Sequence, residues 1–421
     1  MITRGLAIAL IALLSVPSAA AHAGSADLVL EWNAIMVTTV SGQNPFAQAR
    51  LAAITQLAVF EAVNAITGDY ESYLDPLAAP QGASVEAAAV TAAHHVLSHY
   101  IPAATGTLDA ARVNSLAAIP DGPSKDDGMA VGQAAAAALI VQRANDGSTP
   151  PQFFQPTSTA AGEWQTTPSC PAAGGILLHW RNLTPFGVRR NAQFRADAPP
   201  ALSGRKYARH YAEVAAVGAF DSLARPTDRS DVARLYATLS AVGAWNGAAQ
   251  QLAEAESRSA SRLARVLAVL NMAMSDALAT SIETKYHYRF WRPETAIRAG
   301  DTDGNDRTAG SGDFTPFIAA PCFPSYPSAH ASASYAGRSV LQRVWGGRGH
   351  SIVLSHPAVP GVTVDYETLE QITDDIDDAR VFGGIHFRFD QEAGAKQGRN
   401  VGRYIYEHVL ERNEDQERDD D

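Results

Sequence analysis

Long alanine-rich segments with apolar residues three and four positions apart leave this chain few alternatives to packed helices. Residues 49–66 (ARLAAITQLAVFEAVNAI) carry the pattern, and 84–99, 125–144, 229–243 and 250–280 repeat it. That spacing lines apolar side chains along one stripe of a helix, and the stripe has to be covered. Alternating β-branched runs are scarce, so the segments predict an all-α fold with helices packed in bundles. With 46% hydrophobic and 18% charged residues among 421, the chain can bury a sizeable core and is not a wholly disordered one.

The ends and connections read differently. Arg4, the apolar run GLAIALIALLSV and Ala21-His22-Ala23 form the charged, apolar and small-x-small parts of a signal peptide over 1–23. An uncleaved anchor helix is the other reading of this segment. A leader predicts an exported chain, secreted or periplasmic, beginning near Gly24. No later stretch reads as apolar enough to span a bilayer, so the mature chain is not expected to be membrane-spanning. Two cysteines exclude a disulfide scaffold and a four-cysteine zinc module, but in an oxidising compartment Cys170 and Cys322 could pair. A formal charge of −11 argues against nucleic acid as a partner. Residues 145–200, with eight prolines and Gly174-Gly175, predict a long irregular connection draped over the helical body. A second irregular stretch covers 299–327. The end, 411–421 (ERNEDQERDDD), predicts a frayed acidic tail.

Chemistry concentrates in the second half, in three words. In the first, Lys285 and Arg292 are seven residues apart, which on one helix places both on the same face, and Pro293 then ends or kinks that helix. Alone, this reads as a solvated basic face. In the second, Phe323-Pro324-Ser325-Tyr326-Pro327-Ser328-Ala329-His330 delays a helix until about Ser328. A helix start offers free N–H groups to an anion, beside the Ser328 hydroxyl and the His330 imidazole. Alone, Ser328 is an ordinary N-cap and His330 an exposed first-turn residue. In the third, Gly383-Gly384 should break a helix between Arg380 and His386, and Asp390, four residues on, can reach the His386 ring and fix its tautomer. Alone, these are a surface His/Asp pair. Taken together the words supply three cations, neutral donors and two histidines, one with a carboxylate partner. That set suits a tetrahedral oxyanion, and arginine's planar, permanently charged fork is the right donor for it.

The order K-x6-R-P, P-S-x-H, R-x3-G-x-H-x3-D resembles the vanadium-dependent haloperoxidase and type 2 phosphatidic acid phosphatase superfamily. The flanking words FWRP, FPxYPSxHA and GxHxRFD are similar to the haloperoxidase branch, and the likeness runs from about 27 (DLVLEWNAI) to about 410, through GEWQTTP and FRADAPPAL. The resemblance implies one large helical body around two bundles, with an N-terminal scaffold and its connection over 24–200 and the site-bearing bundle over 201–410. It implies orthovanadate as cofactor, held by Lys285, Arg292, Arg380, Ser328 and the Ala329 amide. His386 would bond to vanadium, Asp390 would orient His386, and His330 would accept a proton from hydrogen peroxide. Lys285 would polarise the bound peroxide, and Phe323 would lie near the halide. The reaction implied is oxidation of halide by hydrogen peroxide to hypohalous acid.

Three positions depart from the family's pattern. Ala329 stands where glycine is usual, Ala379 where serine often precedes the arginine, and Ile282 where chloroperoxidases carry tryptophan. The departures touch the halide pocket more than the oxyanion cage. Two rival readings use the same residues. An acid phosphatase would attack a phosphate ester with His386 through a phosphohistidine and protonate the leaving oxygen from His330. A helical protein that binds an oxyanion without catalysis would be favoured by Ala329 and Ala379. Elsewhere, Asp301–Asp306 reads as a polar turn rather than a calcium loop. Asp276 reads as a solvated edge of the core within reach of Lys285 or Arg292. His287 reads as a packed histidine and His94-His95 as structural, while Trp245-Asn246 matches a word in related chains with no evident role. Homo-oligomerisation stays open.

Overall fold

Side-chain caps and prolines set where the helices begin. The computed structural model describes residues 24–256 and 258–413; the signal-peptide segment 1–23 and residues 414–421 of the acidic end lie outside these. In the first half run α1 (Ser25–Val40), α2 (Pro45–Thr67), α3 (Val85–Tyr100), α4 (Thr105–Ala117) and α5 (Pro123–Arg143). Asn44 caps α2 by accepting from the N–H groups of Phe46 and Ala47, with Pro45 at the first helical position, and Gly68 ends it at φ 71°. The second half holds α6 (Arg205–Val217), α7 (Thr227–Thr238), α8 (Ala241–Ala255), α9 (Ala260–Tyr288), α10 (Pro293–Arg298) and α11 (Ala329–Trp345). After α11 come β1 (Arg348–Ser355), β2 (Thr363–Thr368), α12 (Leu369–Phe382) and α13 (Arg388–His408).

The fold is all-α apart from the antiparallel β1–β2 hairpin, which the helical patterning did not predict. Two other boundaries differ from the sequence reading. The expected helix over 229–243 is two, because Leu239 leaves the helix and Ser240 caps α8 through Gly243 N–H. The expected segment 250–280 likewise splits at the end of α8, and Ser259 caps α9.

α9 is the shared centre, packed against α2 of the first bundle and against α11 and α13 of the second. Contrary to the expectation from sequence, α2 and α9 each hold an 18-residue window of mean hydropathy 1.3, but 89% and 94% of those windows are buried inside the fold. That is the composition of a core helix with no polar face. A stripe of Gly394, Gly398 and Gly402 lets α13 lie directly on α11. A Cβ at Gly398 would come within 2.1 Å of the Ser332 carbonyl oxygen, and the approach lets Ser328 N–H donate to the Asp390 carbonyl at 2.9 Å.

The long connection is irregular, as predicted, and it is pinned rather than loose. Asp276 of α9, fully buried, accepts from the N–H groups of Phe186 and Gly187 at 2.7 Å and Val188 at 2.9 Å. This corrects the reading of Asp276 as a solvated residue near the cations: it is the clamp that holds the connection to the core. The word GEWQTTP runs beside the turn after α9, with Trp291 N–H donating to Gly162 O at 3.0 Å. Cys170 and Cys322 are joined by a disulfide, which ties the connection to the segment entering α11. The acidic end begins ordered, since Glu71 N–H donates to Glu411 O at 2.8 Å and Asn413 Nδ2 to Gly68 O at 2.7 Å.

Candidate active site

Lys285 and Arg292 do meet, but not as two positions on one helix. Arg289 takes a left-handed conformation (φ 50°) that ends α9, and Arg292 is the N-cap of α10, with Pro293 opening that helix rather than closing the previous one. Lys285 Nζ, fully buried, donates to the carbonyls of Pro324 at 2.9 Å and Ser325 at 2.7 Å. Burial, and after it Arg292, hold its amine well below the usual lysine range. Arg292, also fully buried, donates Nε to Phe323 O and Nη1 to Ile385 O, both at 2.9 Å, and Nη1 to His386 Nε2 at 3.1 Å. Arg380 reaches in from the last turn of α12 and donates Nη1 to Tyr236 O at 3.0 Å. Burial lowers Arg292 to about 9 and Arg380 to about 10.

α12 ends at Gly383, and the chain turns through Gly384 (φ 76°) to present His386 just before α13. The His386–Asp390 pair is therefore not set within one helix. Asp390 is the third residue of α13, and its Oδ2 accepts from His386 Nδ1 at 2.8 Å, from Phe387 N–H at 3.1 Å and from the Ser325 hydroxyl at 2.5 Å. Burial lifts Asp390 to about 6 against the pull of Ser325 and Lys285. His386 is held well below the ordinary histidine range by burial and then by Arg292, so it is neutral. With Nδ1–H given to Asp390, the Nε2 lone pair is the reactive one; this tautomer follows from the hydrogen-bond pattern.

Ser325 was missed as a site residue in the sequence. It stands within a quoted word, but only the fold turns its side chain onto Asp390, where the neighbouring prolines and Tyr326 draw the eye instead. Ser328 is the N-cap of α11 and accepts from Ala331 N–H at 3.3 Å. The N–H of Ala329 donates to no backbone carbonyl among the described residues. His330, in the first turn, is not an exposed residue. The packing around it, and then Arg380, push it down to about 3, and its ring meets that of Tyr236 edge-on at 6.1 Å. Phe323 lies under the cations, its ring centre 5.2 Å from Lys285 Nζ and 5.1 Å from the Arg292 guanidinium carbon.

The residues fit an oxyanion on one specific ground: donors left over. Arg292 Nη2 and Arg380 Nε are buried donors with no hydrogen-bond partner, and His330 Nε2 is buried and likewise unpartnered; unsatisfied buried polar groups are costly. Among these cations Asp390 Oδ2 is spent on His386, Ser325 and Phe387, while its Oδ1 is buried without a hydrogen-bond partner. Ala329, His330, Arg380 and His386 together line one end of a cavity of about 560 Å³. No group of three or more His, Cys, Asp or Glu able to hold a bare metal ion occurs among the described residues. A metal held here would be held through its oxygens, with His386 Nε2 as the one nitrogen open to it.

The remaining candidates lie elsewhere. His287 is exposed and meets Tyr288 edge-on at 4.7 Å. His94 pairs with Asp109 at 2.7 Å. Asn246 and Asn271 exchange hydrogen bonds of 2.9 Å between α8 and α9, and Trp245 lies over Gly337, so that word is packing. The 301–306 turn closes on itself, with Asp303 accepting from Asn305 N–H and the Thr308 hydroxyl at 2.8 Å. Ile282 and Ala379 are buried core residues.

Residues 265–415, which include all the site residues above, match the family described as VCPO second helical-bundle domain. Among solved structures, the first bacterial vanadium-dependent iodoperoxidase is 24% identical, with a TM-score of 0.76 over 92% of this chain and 97% of that one. The apo form of a bacterial vanadium-dependent chloroperoxidase is 16% identical, with a TM-score of 0.70 over 86% of this chain and 94% of that one. The holo form gives 16% and 0.68 over 88% and 93%. No curated protein matches the sequence. The whole fold is thus shared with these structures, while the identities are too low to carry their reactions across.

Proposed function

We propose, for a chain whose residues 265–415 match the VCPO second helical-bundle domain and whose fold is shared with bacterial vanadium haloperoxidases, that it oxidises halide with hydrogen peroxide to hypohalous acid on a vanadate held in this cage. The observation that carries the reading is convergence: unpartnered buried nitrogens of Arg380 and His330 line one cavity with His386, whose Nε2 meets Arg292, itself left with an unpartnered Nη2. Bound vanadate would supply a Lewis-acidic centre that activates peroxide for attack by halide without a change of metal oxidation state.

The chain's own residues would do the rest. Arg292 Nη2, Arg380 Nε, the Lys285 ammonium, the Ser328 hydroxyl and the Ala329 N–H would bind and neutralise the oxygens, a fixed field that needs no reorganisation during reaction. His386 would offer its Nε2 lone pair, exchanging the Arg292 donor for the metal. Asp390 keeps the proton on Nδ1, and Ser325 keeps Asp390 facing it. His330, neutral in the empty cage, would accept a proton at Nε2 as peroxide is admitted and return it later. Phe323 would keep water from the cation side and bound the halide's place.

The test is bromination of monochlorodimedone with vanadate and peroxide, run beside hydrolysis of para-nitrophenyl phosphate without them. Hydrolysis without bromide oxidation overturns the reading in favour of the phosphatase. His386→Ala should weaken vanadate binding, measured by calorimetry, at least about a hundredfold; unchanged vanadate affinity in that variant removes His386 from the role. Export to an oxidising compartment is supported by the leader and by the Cys170–Cys322 bond. Finding the full-length N-terminus on the mature protein overturns cleavage near Gly24.

A further inference from the structure

On a chain whose formal charge is −11, a concentration of positive charge lies on the outer side of the second bundle. A groove of about 860 Å³ runs between α11 and α13 and reaches the start of α12. Arg338 and Arg343 of α11 and Arg399 and Arg403 of α13 line it, against one acidic residue, Glu370. The glycine stripe of α13 brings these arginines together. Cβ atoms at Gly398 and Gly402 would meet the carbonyl oxygens of Ser332 and Ala336, so the two helices run side by side in the same direction.

The arginines are set in place rather than neutralised. The Tyr335 ring forms the floor, and its hydroxyl donates inward to Asp377 Oδ2 at 3.0 Å. The guanidinium carbon of Arg399 lies 4.9 Å from the centre of that ring, and that of Arg338 5.8 Å. A ring fixed from below limits the positions its guanidiniums take, which lowers the entropy lost when they bind. Arg338 also pairs with Glu370 at 3.2 Å, and Arg343 with Glu407 at 3.3 Å. Arg399 and Arg403, both exposed, form no ion pair among the described residues. They stand four positions apart on one helix, the spacing at which like charges repel. An anion between them reverses that sign.

The spread of the charges selects the ligand. Arg343 lies five residues beyond Arg338, about 7.5 Å along α11, so one small oxyanion cannot engage all four guanidiniums. Anionic groups in succession can, each held by a planar fork that takes two of its oxygens. Ser339, Gln342 and Asn400 add neutral polar groups between the cations. A nucleic acid finds no stacking platform, because Tyr335, the aromatic ring among the lining residues, is buried beneath two guanidiniums. The groove is also separate from the cage: Arg343 lies thirteen residues beyond His330, about 20 Å along the same helix.

We propose that this groove is a docking surface for a linear, flexible polymer that carries sulfate or phosphate groups on successive units. Arg399 and Arg403 are its principal contacts, and Arg338 and Arg343 exchange part of their pairing with Glu370 and Glu407 for the polymer. The proposal stands whatever reaction the cage performs.

Dextran sulfate and polyphosphate are titrated into the full chain, with neutral dextran as the blank. Saturable binding that weakens steeply with salt is expected, and the tighter of the two polymers identifies the ester. Replacing both Arg399→Gln and Arg403→Gln should weaken it at least about tenfold and flatten its salt dependence. Arg189→Gln with Arg190→Gln, two exposed arginines of the connection, removes the same charge and should change the affinity by less than about twofold. Equal weakening in the two pairs overturns the proposal, since binding would then follow net charge alone. The single reversal Arg403→Glu should weaken binding more than Arg403→Gln, and a reversal without effect removes the groove as the site. Absence of saturable binding by either polymer overturns the proposal outright. Tighter binding of polyglutamate or of oligothymidylate overturns it in favour of an acidic protein segment or a nucleic acid.

Discussion

Arg50 and Arg143 in the first bundle and Lys285, Arg292 and Arg380 in the second are all buried beside one aspartate, yet they are buried on opposite terms. In the first cluster both guanidiniums reach Asp146 Oδ2, Arg50 at 2.7 Å and Arg143 at 3.1 Å through Nε. Their other nitrogens go to main-chain carbonyls: Arg50 to Arg143, and Arg143 to Thr184 and Pro185. Those bonds fasten the connection to α2 and α5, and neither arginine has a fully buried nitrogen without a partner. In the second cluster Asp390 answers to His386, Ser325 and Phe387 instead, and Arg292 Nη2 and Arg380 Nε point at nothing. The residue types are the same. What separates a strut from a binding site is the number of donors still unspent, because a buried charge without a partner costs several kcal/mol and persists only where something else repays it.

If that distinction is right, the two clusters should fail in opposite ways. Asp146→Ala strands two buried guanidiniums and should cost about 3–5 kcal/mol of stability, read by urea unfolding, with vanadate affinity of the folded fraction little changed. Arg380→Met should do the reverse. It removes a cation whose guanidinium makes one hydrogen bond among the described residues, to Tyr236 O, so Tm should hold or rise, while vanadate binding weakens about thirtyfold, the worth of a charge-assisted hydrogen bond. A loss of stability in Arg380→Met equal to that in Asp146→Ala would erase the comparison.

The cage's residues were legible in the sequence because each sits in a word with strong local grammar: a Pro after Arg292, prolines before Ser328, a Gly pair after Arg380. The helices were legible from their apolar spacing. How the residues meet was not. Nothing local marks Arg289 for the left-handed region, which non-glycine residues seldom enter, so the shared helical face assigned to Lys285 and Arg292 was wrong although their meeting was right. Asp276 looked like a neighbour of the cations because sequence distance is short, but its partners are the main-chain N–H groups of 186–188, about ninety positions away. The β1–β2 hairpin is short, and Tyr366 of β2 is tied to α7 by a hydrogen bond between its hydroxyl and that of Tyr236, a partner that lies far away in the sequence. The leftover donors, on which the proposed function rests, are a property of the assembled fold alone.

Ser325→Ala sharpens the comparison within the second cluster. It takes from Asp390 one of three donors and leaves every cation in place. Loosening the carboxylate loosens His386, so vanadate affinity should fall about tenfold, the usual effect of removing a partner behind a metal ligand. Ser325→Thr should recover most of it. If the alanine variant binds vanadate as the wild type does, Asp390 is held well enough by Phe387 N–H and the histidine, and Ser325 is packing only.

The smallest effect expected concerns His330 and the sign of its titration. In the empty cage its imidazole is pushed down to about 3 by the packing around it and then by Arg380, so it is neutral over the working range. An anion placed against its open Nε2 favours the charged form and raises that value. The bound-state value then lies above the free one. Between the two, binding takes up a proton, and affinity falls as pH rises through the bound-state value. Sulfate is the probe to use, since its own charge does not change over that range. Calorimetric titration at one pH in buffers of different ionisation enthalpy reads the uptake directly, and a fraction of one proton per anion is expected. His386 and Lys285, also held below their ordinary values, contribute to the same uptake, so the decisive quantity is the difference from His330→Gln. An identical uptake in that variant would mean that His330 does not feel the anion, and that the proton-accepting role belongs to another residue of the cage.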